Sequence, residues 1–287
     1  MKATSIALGF FDGVHIAHQK IIKSAVDFAN ENSLTPIALS FDKSPLEILC
    51  PEKVRYITTL EGKQEIIEKL GAKAEFLTVS KDLLNMSPED FIEKILVNKY
   101  NVKHIVCGYD YRFGKGGKGD TELLCKMGEN LGFTVEILDC EVLWGEKISS
   151  SRIRELISEG NIESANELIG RNFSLSGEVC EGKHLGRKLG FPTANVFFGK
   201  HTIIPKNGVY KTIVTVKGNG YPAITNTGIN PTVGGEALRT ETYIPDFEGN
   251  LYGEKINIEF IGFIREEKKF DNIEELKKQI QADVSSL

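Results

Sequence analysis

The chain has few cysteines, and they do not pair. Cys50, Cys107, Cys125, Cys140 and Cys180 are five in number, lie far apart and form no Cys-x-x-Cys pair. An odd, scattered set argues against a disulfide framework and against a zinc site, and fits reduced, mostly buried thiols in a cytoplasmic protein. Long apolar runs are also missing. No stretch approaches the roughly 18 to 20 apolar residues that a membrane-spanning helix needs. The first apolar run, Ile6 to Phe11, is short, ends at Asp12 and has no cleavage site of small residues after it, so a secretory signal is not expected. There is no surplus of positive charge. Lys and Arg total 35 against 40 Asp and Glu, a net charge of −5, which opposes non-specific nucleic-acid binding. Internal repeats and low-complexity segments are absent from the sequence.

What remains is an ordinary globular composition, with 41% hydrophobic and 26% charged residues. A length of 287 residues can bury a sizeable core without disulfides or a structural metal. At about 150 residues per domain it suggests two domains.

The first half alternates strand and helix signals. Strands are expected at Thr4 to Phe10, Thr35 to Phe41, Glu75 to Val79, His104 to Cys107 and Thr134 to Leu138. Helices are expected at His15 to Asn32, Glu61 to Leu70, after Ser87 and at Thr121 to Leu131. Ser87 can cap its helix, Pro88 suits the first turn, and Glu89 and Asp90 face the positive end of the dipole. This alternation implies crossover connections and a parallel sheet covered on both faces, with ligands beyond the carboxyl ends of its strands. Helical segments continue at Ser151 to Ser158 and Glu163 to Ile169. From Phe173 to Phe263 short strands alternate with Gly, Pro and Asn turns, which reads as an antiparallel sheet or small barrel. A last helix is expected at Ile273 to Val284, with Asn272 and Glu275 as a capping box. The composition changes at Gly170 to Phe173, so domains of 1–170 and 171–287 are expected.

Four segments carry chemistry. In the first, Gly9-Phe10-Phe11-Asp12-Gly13-Val14-His15-Ile16-Ala17-His18 joins the first strand to the first helix. A helix N-terminus offers free N–H groups and positive potential to phosphates, and Gly13 relaxes the turn. His15 and His18 share one helix face and suit a triphosphate and the charge of a departing pyrophosphate. The plainer reading is one capping His and one exposed His. The second segment, Ile148-Ser149-Ser150-Ser151-Arg152-Ile153-Arg154, places hydroxyls of Ser150 and Ser151 and the cation of Arg154 at a helix start. Alone, it is also ordinary N-capping.

In the third, Gly108-Tyr109-Asp110-Tyr111-Arg112-Phe113-Gly114 follows a strand, and its aromatic and Arg side chains suit stacking on a flat ring. It reads equally as a glycine-rich loop with core-facing aromatics. The fourth runs from Gly182-Lys183-His184-Leu185-Gly186-Arg187-Lys188 to Phe191-Pro192-Thr193-Ala194-Asn195. Its glycines, Gly182 and Gly186, let N–H groups curl around phosphates, and Lys183, Arg187 and Lys188 add charge. Thr193 and Asn195 offer oxygen ligands for a hard cation such as Mg²⁺. The bland alternative is a basic surface hairpin.

The first two segments resemble the His-x-Gly-His and Ile-Ser-Ser-Thr-x-x-Arg signatures of the nucleotidylyltransferase superfamily. Ala17 stands at the Gly position and Ser151 at the Thr position. The third matches a run in bacterial FAD synthetases. The fourth resembles the riboflavin kinase signature, with Pro-Thr-Ala-Asn in full, and the likeness continues through Pro205-Lys206-Asn207-Gly208-Val209-Tyr210, Gly228-x-x-Pro231-Thr232, Glu241, Leu251-Tyr252-Gly253 and Arg265-x-Glu267-x-x-Phe270. The match runs from Gly9 to Asp283. The chain is thus similar to the bacterial bifunctional riboflavin kinase/FMN adenylyltransferases. That resemblance implies an α/β Rossmann-like nucleotidylyltransferase domain, then a mainly antiparallel six-stranded β-barrel kinase domain with a C-terminal helix.

It further implies that ATP phosphorylates riboflavin to FMN and that a second ATP adenylylates FMN to FAD, with pyrophosphate released. Mg²⁺, ATP, riboflavin, FMN and FAD are the implied small molecules, with no nucleic-acid or membrane partner; no oligomeric state is implied. On this reading His15, His18 and Arg154 stabilise the adenylylation transition state, and Gly9, Phe11, Asp12, Gly13, Ser150 and Ser151 bind its ATP. Asp110, Tyr111, Phe113 and Arg265 bind flavin. Gly182, Gly186, Arg187, Thr193 and Asn195 bind the kinase ATP, with Thr193 and Asn195 on Mg²⁺. Glu241 is the general base on the ribityl 5′-hydroxyl. Ser44 stands in Phe41-Asp42-Lys43-Ser44-Pro45 where the family often has His. Because Ala17 and Ser44 both fall in the first half, a kinase with a weak or lost adenylylation site is one alternative. A non-catalytic flavin-binding regulator is another, and a nucleotidylyltransferase for a different substrate a third.

Overall fold

A computed structural model describes residues 2–181, 190–232 and 235–287. The chain divides into two compact units, Met1–Ser150 and Ser151–Leu287.

In the first unit the strands are β1 (Thr4–Leu8), β2 (Thr35–Phe41), β3 (Lys73–Leu77), β4 (Val102–Gly108) and β5 (Thr134–Leu138). The helices are α1 (Ile16–Glu31), α2 (Pro45–Leu49), α3 (Leu60–Lys69), α4 (Lys81–Asn85), α5 (Pro88–Asp90, continuing as π-helical turns over Phe91–Lys99) and α6 (Thr121–Leu131). The five strands lie in the order β3-β2-β1-β4-β5, and every neighbouring pair is parallel. Both faces are covered, so β1 is buried along its whole length. Ile6, Leu8, Ile37, Leu39, Ile105 and Cys107 face α5 residues Phe91, Ile92 and Leu96 and α6 residue Leu124. The short side chains of Ala7 and Ala38, with Val106, face Ile22, Ala25 and Val26 of α1 and Ile67 of α3.

Local sequence explains most helix starts. Ser87 accepts from Asp90 N–H and Asp120 from Leu123 N–H, at 3.1 and 3.0 Å. Strand β3 starts and ends two residues before the expected span, and Val79 N–H instead meets the Asp42 carboxylate at 3.0 Å. Three features escaped the sequence reading. Helices α2 and α4 have five residues each, too few for periodicity to show, and the hairpin β6 (Val142–Leu143) and β7 (Glu146–Lys147) has two-residue strands. That hairpin turns through Trp144 and Gly145, with φ of 54° and 79°, the left-handed pair that favours a tight hairpin.

The second unit opens with α7 (Ser150–Glu159) and α8 (Ile162–Ile169) and then forms a closed barrel. Its strands are β8 (Phe173–Cys180), β9 (Thr193–Phe197), β10 (Gly208–Val216), β11 (Asn219–Thr232), β12 (Gly235–Tyr243) and β13 (Lys255–Arg265), closed in the order β10-β11-β12-β9-β8-β13. All of its pairings are antiparallel. Helix α9 (Ile273–Val284) ends the chain, and Asn272 caps it through Glu275 N–H at 3.0 Å. The barrel interior is not purely apolar. Thr212, Thr225 and Thr242 link their hydroxyls at 2.8 and 3.0 Å, so these three buried groups are satisfied.

The change in composition lies near residue 170, but packing divides the chain after Ser150. The reason is α8. It buries Ile162, Ala165, Leu168 and Ile169, while Asn166 donates to Phe260 O at 2.9 Å and accepts from Phe173 N–H at 2.7 Å. These groups tie the helix to the barrel strands that follow it.

Candidate active sites

In the first unit, the order in which the strands are added reverses at β1, which sits between β2 and β4. That switch point leaves a crevice at the carboxyl ends of the strands. A cavity of about 430 Å³ opens there, walled by Leu8 at the end of β1 and Gly9 after it, and by Phe41, Gly108 and Leu138 at the ends of β2, β4 and β5. His15, Ala17 and His18 of the α1 start also line it, as do Asp110, Tyr111, Ser149 and Ser150. The geometry therefore gathers residues from three of the four predicted segments on one cavity.

The turn after β1 is tightly constrained. Phe11 has a left-handed φ of 55° and Gly13 a φ of 79°. A Cβ at Gly9 would lie 2.5 Å from the Phe11 ring, so that position excludes any larger residue. Asp12 is 2% exposed, and its carboxylate accepts from Ile57 N–H at 3.0 Å and Thr58 N–H at 3.4 Å. Ser150 Oγ donates to the Asp12 carbonyl at 2.9 Å, which joins the first two segments. Asp12 and Gly13 lie behind the cavity wall. In the ligand-free chain they shape the turn; the resemblance implies that they bind ATP.

His15 caps α1. Its Nδ1 accepts from His18 N–H at 3.4 Å, so in the neutral ring the proton sits on Nε2. The two imidazoles stack with centroids 3.5 Å apart. Burial, then the neighbouring His15 and Lys63, holds the His18 pKa well below its ordinary value. His18 is therefore neutral at pH 7, and its Nδ1 has no partner among the described residues. Ser44 caps α2 through Leu46 N–H at 3.2 Å.

The third segment splits in two. Asp110 and Tyr111 line the cavity. Phe113 does not; it is a buried core residue against Phe91, with centroids 5.5 Å apart. It lies behind Tyr111, where a flavin contact was expected. Lys147 of β7, absent from the sequence reading, reaches Asp110 at 2.6 Å and the Tyr109 hydroxyl at 2.9 Å. Those two hydrogen bonds hold its pKa above the usual lysine range. Lys63 was also missed. Its signal was a lysine one turn before buried Ile67 on the same face of α3.

In the second unit, Ser151 and Arg154 lie on α7, where Arg154 Nη2 donates to Ser151 Oγ at 3.4 Å. Gly182, Gly186 and Arg187 lie outside the described residues. Asn195 pairs in register with Glu241, and Glu241 with Asn226. Directly opposed residues of antiparallel strands share a face, so the row Asn195–Glu241–Asn226 crosses three strands. Thr240 and Thr242 are buried toward the barrel interior, which puts this row on the outside. Asn195 Oδ1 and Asn226 Oδ1 are buried with no hydrogen-bond partner among the described residues. Asn226 Nδ2 donates to Glu267 at 3.1 Å. Unpaired hard oxygens beside a carboxylate fit a divalent cation and its ligands. Arg265, expected to contact flavin, is held by α9 in the ligand-free chain. It forms a bidentate pair with Asp283, with Nη2 to Oδ2 at 2.7 Å, and Asp283 is 3% exposed. The guanidinium pins α9 to β13, because a buried carboxylate needs a cation more than the outer face does.

A switch-point cavity bordered by a helix N-terminus, and a barrel bearing a carboxylate between two amides, together define a two-site transferase acting on phosphorylated substrates. A FAD synthetase family model matches residues 1–152, and a riboflavin kinase family model matches residues 169–287. The bifunctional riboflavin kinase/FMN adenylyltransferase of Listeria monocytogenes is 38% identical over 97% of this chain and 89% of its own length. That of Bacillus subtilis is 37% identical over the same shares, and that of Escherichia coli K12 is 32% identical over 97% and 90%. The chain belongs to the bifunctional riboflavin kinase/FMN adenylyltransferase family. A solved structure described as a macrolide-efflux protein from Streptococcus pneumoniae is 30% identical, with a TM-score of 0.90 over 99% of this chain and 94% of that one. Among the described residues here, no helix is long and apolar enough to cross a membrane.

Proposed function

We propose that the barrel unit transfers the γ-phosphoryl group of ATP to riboflavin, giving FMN and ADP. The switch-point site then joins FMN to the adenylyl group of a second ATP, giving FAD and pyrophosphate. The observation that carries this is one chain holding both family domains, each with a polar site where its transfer needs one.

In the kinase reaction Glu241 orients the ribityl 5′-hydroxyl and takes its proton as the new P–O bond forms. Thr193 and Asn195 would hold Mg²⁺, which when bound neutralises phosphate charge. Asn195 Oδ1, buried without a partner among the described residues, supports that role. In the adenylylation the FMN phosphate attacks the α-phosphorus of ATP, so no side-chain nucleophile is needed. The α1 N-terminus and the His15 and His18 rings donate to the polyphosphate as charge moves to the departing pyrophosphate. Ser150, which lines the same cavity, adds a donor to these phosphates. Asp110 and Tyr111 contact the flavin. Dependence on ATP and the exposed thiol of Cys50 fit the cytoplasm.

The test is one incubation with riboflavin, ATP and Mg²⁺, with the flavins separated by chromatography over time. FMN should appear first and FAD should follow. FMN accumulating without FAD would leave only the kinase, and no product at all would overturn the reading.

A further inference from the structure

The first unit buries a lysine for which the adenylylation chemistry above has no use. Lys63 is 3% exposed. Removing an ammonium group from water is expensive and needs compensation. The hydrogen bond from its Nζ goes to a neutral group, the Phe10 carbonyl, at 2.9 Å. The same carbonyl accepts from Ser40 Oγ at 2.7 Å. The ammonium also lies 4.2 Å from the Phe10 ring centroid and 5.8 Å from that of Phe76. Asp12 from the turn and Asp42 after β2 are the anions in range, and both carboxylates already accept backbone N–H groups. From α1, His18 is the titratable group that feels this charge. Burial outweighs the two carboxylates and pushes the Lys63 pKa down to about 8. The cation is under-compensated in the free protein.

Its position gives that charge a use. Phe10 is part of the cavity wall. With its carbonyl held by Lys63 and Ser40, the plane of the Phe10–Phe11 peptide is fixed, and the Phe11 N–H points away from both donors. The next residue keeps its left-handed φ of 55°, a conformation that persists only where the surroundings enforce it. We infer that Lys63 is a positioning residue of the nucleotide site, locking the Phe10–Phe11 peptide of the phosphate turn and setting a buried positive charge behind the polyphosphate. This rests on the reading of the first unit as the adenylylation site. The bound polyphosphate supplies the missing compensation, so nucleotide binding and protonation of Lys63 favour each other.

The test uses Lys63→Met and Lys63→Arg in the full chain, with riboflavin phosphorylation in the same sample as an internal control. Lys63→Met should lower FMN adenylylation about tenfold or more, mainly by raising KM for ATP. Riboflavin phosphorylation and the unfolding temperature should not fall, because Ser40 still holds the Phe10 carbonyl and an uncompensated buried cation is gone. In the parent protein KM for ATP should climb as pH rises through about 8, and Lys63→Arg should keep the activity and lose that climb. Inorganic tripolyphosphate should raise the unfolding temperature of the parent more than that of Lys63→Met. Unchanged adenylylation in Lys63→Met would overturn the inference, as would early unfolding with both activities lost. Equal tripolyphosphate shifts would also overturn it. A parent protein that makes no FAD yet still shows the unequal shifts would strike the adenylylation reading and leave the buried charge standing.

Discussion

The two sites stand at opposite stages of completion. Around the switch-point cavity most groups of the turn already hold one another, although His18 Nδ1 has no partner among the described residues. Asp12 is fastened by Ile57 and Thr58, Ser150 by the Asp12 carbonyl, and Phe10 by Ser40 and Lys63. On the barrel, Asn195 and Asn226 each bury an oxygen that has no partner among the described residues, with Glu241 between them in register. A prearranged donor set has little left to reorganise when charge develops, which suits a site whose substrate brings its own nucleophile. Orphaned acceptors instead cost free energy until a ligand arrives. The barrel site should therefore gain more order from its ligands than the cavity does.

The sharpest break between the two halves comes from Glu241→Gln. Loss of a general base removes about 10²- to 10⁴-fold of rate, so FMN formation from riboflavin should nearly stop. FAD formation from supplied FMN should continue at the parent rate. If both activities fell together, the sites would not be separate and the contrast would fail.

Next in size is the Arg265–Asp283 pair, which tests whether an expected ligand contact is in truth a strut. Arg265→Met leaves a buried carboxylate without its cation, a change that costs about 3 kcal/mol or more. Thermal unfolding should show a large loss, while Asp283→Asn, which keeps the shape, should lose less. A raised KM for riboflavin in Arg265→Lys with no change in unfolding would instead restore the flavin-contact role.

A smaller effect separates the units by pH. The His18 pKa is depressed in the folded state by burial, His15 and Lys63. As pH falls below the ordinary value of 6.5, the unfolded chain takes up a proton that the folded one refuses. The stability from His18 is fully present above 6.5 and drains as pH falls toward its folded value. Amide protection factors in α1, corrected for the intrinsic exchange rate at each pH, should fall on that acid limb, and His18→Gln should flatten the limb. No such change is expected in the barrel strands.

These contrasts show what one sequence makes readable. Strand and helix order in the first unit was legible because the causes are local. Buried strands read as apolar runs, and Ser87, Asp120 and Asn272 announce helix starts that the structure keeps. Tertiary pairings were not. Asp283, on α9, shows no sign in sequence that it claims Arg265, and Phe113 carries the same aromatic signal as Tyr111 although only Tyr111 reaches the cavity. Lys63 sits in a helix rich in Glu and Lys, where a solvent-facing side chain is the ordinary expectation. Asn226 became visible only when strand register set it beside Glu241. Site chemistry was readable where it concentrates in a short segment, and hidden where it depends on a partner from elsewhere in the chain.

The smallest effect concerns Ala17, which lines the cavity at the second position of α1, one residue before His18. Its methyl group stands where the nucleotidylyltransferase signature has only hydrogen. Ala favours the helix more than Gly does, by up to about 1 kcal/mol in an interior turn, so Ala17 stabilises the α1 start while narrowing the approach to its N–H groups. Ala17→Gly should speed FMN adenylylation by up to about tenfold, since one methyl group in a pocket is worth about 1 kcal/mol or more. Riboflavin phosphorylation should not change. A gain far above that range would mean that the adenylylation site of the parent chain is nearly closed, and the contrast drawn here would become one between a working barrel and a blocked cavity. No gain would mean that the cavity already admits the nucleotide past the methyl group, leaving the two sites equally open to their substrates.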